Sequence, residues 1–333
     1  MISPSFSLTA TERVLPRMAL DFTTASLDSR VTFTRTGNTA TVTNSSGVIT
    51  AINADLPRFD YNPTTLICNG LLIEESRTNL LLNSLLNGTN LSTQLVTTTA
   101  VAHTLSFYGT GTIVLTGTSS ATVVGTGAYP NRQTLTFTPT AGVLTLTVTG
   151  TVQYAQLEVG SFATSFIPTA ASQVTRTADL ASMTGTNFSS WYNQPEGTFS
   201  AQAIVPQLGR AGRILGVDSG TNANLFVMGT AATNQVSSDS VVAGAYSGGA
   251  YSVGTITANT QFKMCSSYSN TTSEGTALNG AAISAANFSV GVTMTEMYLG
   301  TQVGPSSFLN GAIAKISYWP QKLTNNEVQA FSK

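Results

Sequence analysis

Val143-Leu144-Thr145-Leu146-Thr147-Val148-Thr149-Gly150-Thr151-Val152 alternates in character along its whole length. Leu144, Leu146, Val148 and Val152 share one parity, while Thr145, Thr147, Thr149 and Thr151 share the other. Side chains along a strand point alternately to its two faces, so the stretch predicts a strand with one buried face and one hydroxyl-coated face. Thr134-Leu135-Thr136-Phe137-Thr138 repeats the pattern one turn earlier. Further strands are expected at 102–108, 112–115, 121–124 and 153–159, with turns at Gly109-Thr110-Gly111 and Gly125-Thr126-Gly127. Short strands separated by such turns read as an antiparallel sandwich.

Composition supports an all-β class. Charged residues are 9% of the 333, against about 25% in ordinary globular chains. No apolar run is long enough for a membrane helix, since Asn83 and Ser84 interrupt the best one. Abundant Val, Ile, Thr, Tyr and Phe argue against disorder. Solubility then rests on Thr, Ser and Asn, residues that a sheet's outer face accepts. With a net charge of −1, scattered arginines and no lysine before Lys263, the chain lacks the clustered cations of a nucleic-acid binder. Cys68 and Cys265 are too few for a disulfide framework or a four-ligand zinc site. The N-terminus shows no signal-peptide pattern, and synthesis and assembly in a cytoplasm are expected.

Working outward, Leu56 to Leu82 reads LPRFDYNPTTLICNGLLIEESRTNLLL. Between Arg77 and Glu158 the only formal charge is Arg132, so the local charges Arg58, Asp60, Glu74, Glu75 and Arg77 stand out. Charges beside buried runs persist mainly when paired. An arginine–carboxylate clamp, Arg77 or Arg58 with Glu75 or Asp60, is therefore expected; solvated strand ends are the alternative. The preceding residues carry short strands at 18–22, 31–35, 40–43 and 48–52, too little for a core of their own. The expected division is 1–55 as an attachment and oligomerisation segment, 56–175 as an antiparallel sandwich, and 176–333 as a second sandwich.

The second sandwich draws strands from 197–205, 213–217, 224–228, 261–267, 296–299 and 311–319, with 229–260, rich in Gly, Ser and Ala, read as loops between short strands. Thr324-Asn325-Asn326-Glu327 is a capping box that predicts one short C-terminal helix.

Catalytic constellations are missing from the sequence. His103 is the single histidine and no G-x-S-x-G elbow accompanies it. Glu74 and Glu75 are adjacent and would face opposite ways on a strand, unlike a glycosidase pair. No cofactor motif and no metal-ligand cluster is seen; Asp60 with Asn62, or Asp179, read as turn residues rather than calcium ligands. Among the aromatics, Trp191 and Tyr192 are the candidates for stacking on a glycan, with Tyr246, Tyr251 and Trp319 behind them.

Several of these stretches carry a resemblance. Leu20-Asp21-Phe22, the run Leu27 to Arg35, Pro57-Arg58-Phe59-Asp60-Tyr61 and the run Gly70 to Leu80 resemble tailed-phage virion proteins described as head fibres, head spikes or tail fibres. The likeness resumes at Gln156 to Gly160, at Ala163 to Thr169, and at Thr175-Arg176 before Asp179. It spans roughly residues 20–180. It implies a jelly roll like those of carbohydrate-binding modules. Gly311 to Trp319, followed by Leu323-Thr324 and Glu327, is similar to the end of laminin-G or concanavalin-like sandwiches. The implied role is a non-enzymatic structural protein of a virion, displayed as a homo-oligomeric head fibre or capsid decoration, a trimer being one such form. Its partners would be copies of itself and capsid or tail proteins, without nucleic acid or membrane insertion. A tail fibre or glycan-binding receptor module is the alternative, and a polysaccharide depolymerase the third reading.

Overall fold

A computed structural model describes residues 15–333 apart from 38, 270–273, 287–288 and 292, and omits the side chains of 251, 252, 274 and 286. The protein is all-β and antiparallel, with a C-terminal helix. Two sandwiches make up the architecture, one smaller and one larger.

The smaller sandwich packs a four-stranded sheet on a three-stranded one. Gly142–Thr149 lies between Thr112–Gly117 and Gln94–Thr98 in the first sheet. His103–Tyr108 lies between Gln133–Phe137 and Gln153–Val159 in the second. Leu144 and Leu146 point inward with Leu105, Phe107, Ile113 and Leu157, all fully buried. Thr147 and Thr149 stay exposed. The alternation thus sets the face, because a one-residue slip would turn every leucine to water.

The larger sandwich joins an eight-stranded sheet to a seven-stranded one. Strands from both ends of the chain share these sheets. Gly311–Trp319 pairs with Glu196–Ile204 on one side. Its other side is shared end to end by Met18–Asp21, opposite Tyr318 to Lys315, and by Cys68–Ile73, opposite Ile313 to Gly311. Thr32–Thr34 extends the seven-stranded sheet by pairing with Leu180–Thr184. Met18, Leu20, Phe22, Phe33, Leu71 and Ile73 lie in one core with residues from 181 to 318. Hydrogen bonding therefore crosses the expected boundaries at 55 and 175: the smaller sandwich is looped out of a larger one that holds both the first and the last described strands.

Gly70 shows why the junction needs a glycine. Its φ is +115°, and a β-carbon there would come within 2.0 Å of the Ile313 carbonyl oxygen.

The region 229–260 is mostly two long strands rather than loops between short ones. Val236–Val242 and Ala245–Val253 form a hairpin, turning at Ala243 and Gly244 with φ of 50° and 79°. Ser237, Ser238 and Ser240 are buried, and the Ser238 and Thr276 hydroxyls bond at 2.6 Å. Small polar residues facing inward removed the hydrophobic alternation by which the strands would have been recognised. The C-terminal helix, Asn325–Phe331, carries its capping box: Thr324 accepts from the Glu327 amide and Glu327 reaches back to the Thr324 amide. Among the described residues no helix is long and apolar enough to cross a membrane.

Candidate functional site: a buried ionic joint and the cleft beside it

Arg58 is the centre of a joint between the two sandwiches. It is fully buried, and its guanidinium pairs with Asp179 and, at 2.8 Å, with Glu74. It also donates to the Thr41 carbonyl at 2.9 Å and the Ser165 hydroxyl at 2.7 Å. Arg35 reaches Asp179 at 3.2 Å, and Arg176 approaches Glu74 at 3.5 Å and Asp179 at 3.8 Å. Three guanidinium groups thus share two carboxylates.

Backbone groups complete the joint. Asp179 accepts from the Glu74 amide at 2.9 Å. Glu74 accepts from the Ser165 amide at 2.7 Å and its hydroxyl at 2.6 Å. Arg35 donates to the carbonyls of Ile52, Asn53 and Leu56. Charges removed from water are tolerable here because each is met by opposite charge and by hydrogen bonds.

Electrostatics follow the geometry. Burial opposes the charge on Glu74, but Arg176 and Arg58 outweigh it and hold the carboxyl down to about 2. Burial likewise opposes the charge on Arg58, and Asp179 and Glu74 reverse the effect, leaving it above its ordinary value. Arg35 and Arg176 shift downward, with burial the largest cause.

A second clamp lies next to the first. Glu75 bonds Arg77 at 2.6 Å, Arg210 at 3.4 Å and the Asn310 amide group at 3.0 Å. The guanidinium carbons of Arg77 and Arg210 lie 4.6 and 4.0 Å from the centroid of Phe162, whose ring comes from the smaller sandwich. Adjacent carboxylates, Glu74 and Glu75, therefore serve two different networks.

The four clamp residues expected from the sequence separate accordingly. Arg58 is in the buried joint, with Glu74 and Asp179 rather than Asp60 or Glu75. Arg77 and Glu75 pair with each other. Asp60 belongs to neither and takes a hydrogen bond from Asn69 at 2.8 Å. Arg35 and Arg176 are not among the clamp residues that the sequence predicts, and Asp179, a turn residue by its sequence pattern, is instead a partner of Arg58. Their only signal was that acids and arginines are scarce enough for each to need a partner. Asn62 forms an Asx turn, accepting from the amides of Thr64 and Thr65.

Trp191 and Tyr192 require a correction. They are 2% and 9% exposed, which leaves no ring face for a sugar. Trp191 packs edge-on to Phe188 and Tyr318, both at 5.0 Å, and donates its indole N–H to the Asn187 carbonyl at 2.7 Å. Tyr192 stacks on Phe188 at 4.6 Å. They follow a short helical turn, Thr186–Ser189, that drives both rings into the core. Trp319 is also buried, whereas Tyr246 is exposed; the Tyr251 side chain lies outside the described residues. His103 is buried with Nδ1 2.8 Å from the Val101 carbonyl. Both cysteines are free and buried.

A cleft runs between the sandwiches beside the joint. Two adjoining cavities, of about 210 and 540 Å³, share Asp60, Asn69, Arg132, Ala163, Ile204 and Asn259 as walls. The surrounding protein pushes the Asp60 carboxyl up to about 6, burial being the chief cause and the hydrogen bond from Asn69 opposing it. Arg132 donates to the Thr164 carbonyl and the Ser106 hydroxyl, both at 2.7 Å.

No protein-family model matches the chain, and no curated protein matches it. Solved structures do align. The CBM40 module of the Ruminococcus gnavus IT-sialidase, bound to α2,3-sialyllactose, is 13% identical over 42% of this chain and 83% of that one, with a TM-score of 0.36. The NanB sialidase of Streptococcus pneumoniae is 11% identical over 45% of this chain and 26% of its own, with a TM-score of 0.36. The heptameric SAP-like pentraxin of Limulus polyphemus is 15% identical over 43% of this chain and 73% of its own, with a TM-score of 0.32. A likeness at this level tells nothing about ligand or reaction.

Proposed function

We propose that the protein is a non-enzymatic structural component of a phage virion, displayed on the particle as a homo-oligomeric head fibre or capsid decoration. One observation supports this reading above the others. Segments that resemble virion fibre and spike proteins are spread from Leu20 to Asp179, yet five of their charged residues meet in one place. Arg35, Arg58, Glu74, Arg176 and Asp179 form the buried joint. What these segments have in common is a device for fixing two β-sandwiches together. Rigid projection is a structural task, and the joint's carboxylates are fully committed to arginines.

Attachment to the particle falls to the N-terminal end. A truncation that tests this must stop short of Met18 and Leu20, which are 1% and 2% exposed within the large core. Removing residues 1–15 leaves the strand Met18–Asp21 in place. Mass spectrometry and antibody labelling of purified particles should find the full chain on the particle and lose it with the truncation. A full chain found only in the soluble lysate would overturn the proposal, as would undiminished incorporation of the truncated chain.

A further inference from the structure

We infer that the cleft between the two sandwiches is a saccharide-binding site, with Asp60 and Asn69 as the hydroxyl-recognising pair and Tyr129 and Arg132 lining the same cleft. The virion reading does not require this, and its own test is independent of it.

The larger cavity, about 540 Å³, is within the range of roughly 300–1,000 Å³ typical of small-molecule sites, which favour interfaces between folded units. Asp60 is a carboxylate outside every salt bridge in the two clamps. Asn69 holds one of its oxygens at 2.8 Å and the Thr43 backbone amide also bonds the carboxylate, which has about four acceptor positions. Asp60 therefore retains acceptor capacity toward the cleft. A carboxylate beside a primary amide offers acceptors and donors together, the combination that adjacent sugar hydroxyls satisfy.

The smaller, adjoining cavity adds aromatic walls. Tyr129 lies edge-on to Tyr108 there at 5.2 Å and shares a 2.9 Å hydrogen bond with the Thr43 hydroxyl. Arg132 sits 5.9 Å from the Tyr108 ring, and its Nε–H is buried without a protein acceptor. Threonines 134 and 136 bring hydroxyls to the cavity rim.

Charge narrows the ligand class. Asp60 and Arg132 are the two formal charges on the larger cavity and are of opposite sign, while Glu74, on the smaller cavity, is already paired with Arg58 and Arg176. A polyphosphate would meet one guanidinium and a repelling carboxylate, and a divalent cation would meet one carboxylate and a guanidinium. An apolar ligand would strand the carboxylate, amide and hydroxyls without partners. A short sugar of one or two rings matches both the mixed walls and the near-neutral field.

The test uses the full chain on an array of bacterial-surface oligosaccharides, with titration calorimetry on any saccharide retained. Asp60→Asn preserves shape and the neighbourhood of Asn69 while removing the charge. Thr134→Arg obstructs the rim from an exposed strand position, so it keeps the test usable if Asp60→Asn fails to fold. Saccharide binding that weakens tenfold or more in either folded variant supports the site. No binding to any arrayed oligosaccharide, or binding unaltered in a folded variant of each kind, overturns it.

Discussion

Arg58 and Asp179 stand 121 positions apart in the sequence and meet as a fully buried ion pair. The pair sits where three parts of the chain converge. Arg58 precedes the strand Phe59–Tyr61, Asp179 precedes the strand Leu180–Thr184, and Ser165 brings the end of the smaller sandwich onto Glu74. Such a joint is a poor source of net stability compared with apolar packing, but removing one partner leaves uncompensated charge inside. Its contribution is a fixed relation between the sandwiches.

Gly160 is required by Arg77. A β-carbon at Gly160 would lie 1.6 Å from Arg77 Nη1, and φ there is +135°. Gly160→Ala should destabilise the chain by about 1–3 kcal/mol, measured by urea unfolding. Adding Arg77→Ala removes the clash but not the backbone strain, so the double variant should lose less than the two single losses added together. Strict additivity would show that the guanidinium is not held against Gly160.

Trp191→Ala is expected to act on folding. A buried indole replaced by a methyl group leaves a cavity, at about 3–5 kcal/mol, visible as a lower thermal midpoint. If the variant kept wild-type stability, the ring would not be in the core as described.

Stability should fall from mildly acidic to mildly alkaline pH. Asp218 faces Glu296 across neighbouring strands, and burial, then the Glu296 carboxylate, push its carboxyl up to about 8. The native chain thus keeps a proton that the unfolded chain releases near its ordinary value of 3.8. Stability from this group is complete below about pH 4, declines as pH rises to about 8, and is flat beyond. Burial raises Asp60, Asp239 and Glu158 in the same sense. Glu74 has the opposite sign: held down to about 2, it stabilises above its ordinary 4.5 and loses that effect as pH falls toward 2. Denaturant midpoints should therefore peak around pH 4–5. Asp218→Asn offers Glu296 a donor without titrating. It should gain on the order of 2 kcal/mol over the parent at pH 8 and nothing at pH 4. Equal gains at both values would contradict a retained proton.

Local structure was legible wherever alternation was hydrophobic. Leu144 and Leu146 declared their face, and Thr324 with Glu327 declared the last helix. The hairpin around Ala243-Gly244 was not legible, because Ser238 and Ser240 share the inward face and look like loop residues in a one-dimensional pattern. The clamp was half legible. Scarce charge around Leu56–Leu82 marked Arg58 and Arg77, and local spacing suggested Asp60 and Glu75 as partners. Arg58 instead found Asp179, a pairing set by long-range strand order. Trp191 and Tyr192 misled because large aromatics beside a polar turn look exposed, whereas a single helical turn buries both. The cross-strand carboxyls Asp218 and Glu296 share no strand, so no sequence spacing could reveal them.

The ionic joint is tested most directly by calorimetry of the full chain and of Asp179→Asn, which keeps the side chain's shape and removes its charge. One cooperative transition is expected for the parent, with both sandwiches unfolding together. The variant should lose about 3–5 kcal/mol or melt in two steps as the sandwiches uncouple. Two independent transitions in the parent, with neither displaced in the variant, would contradict the joint.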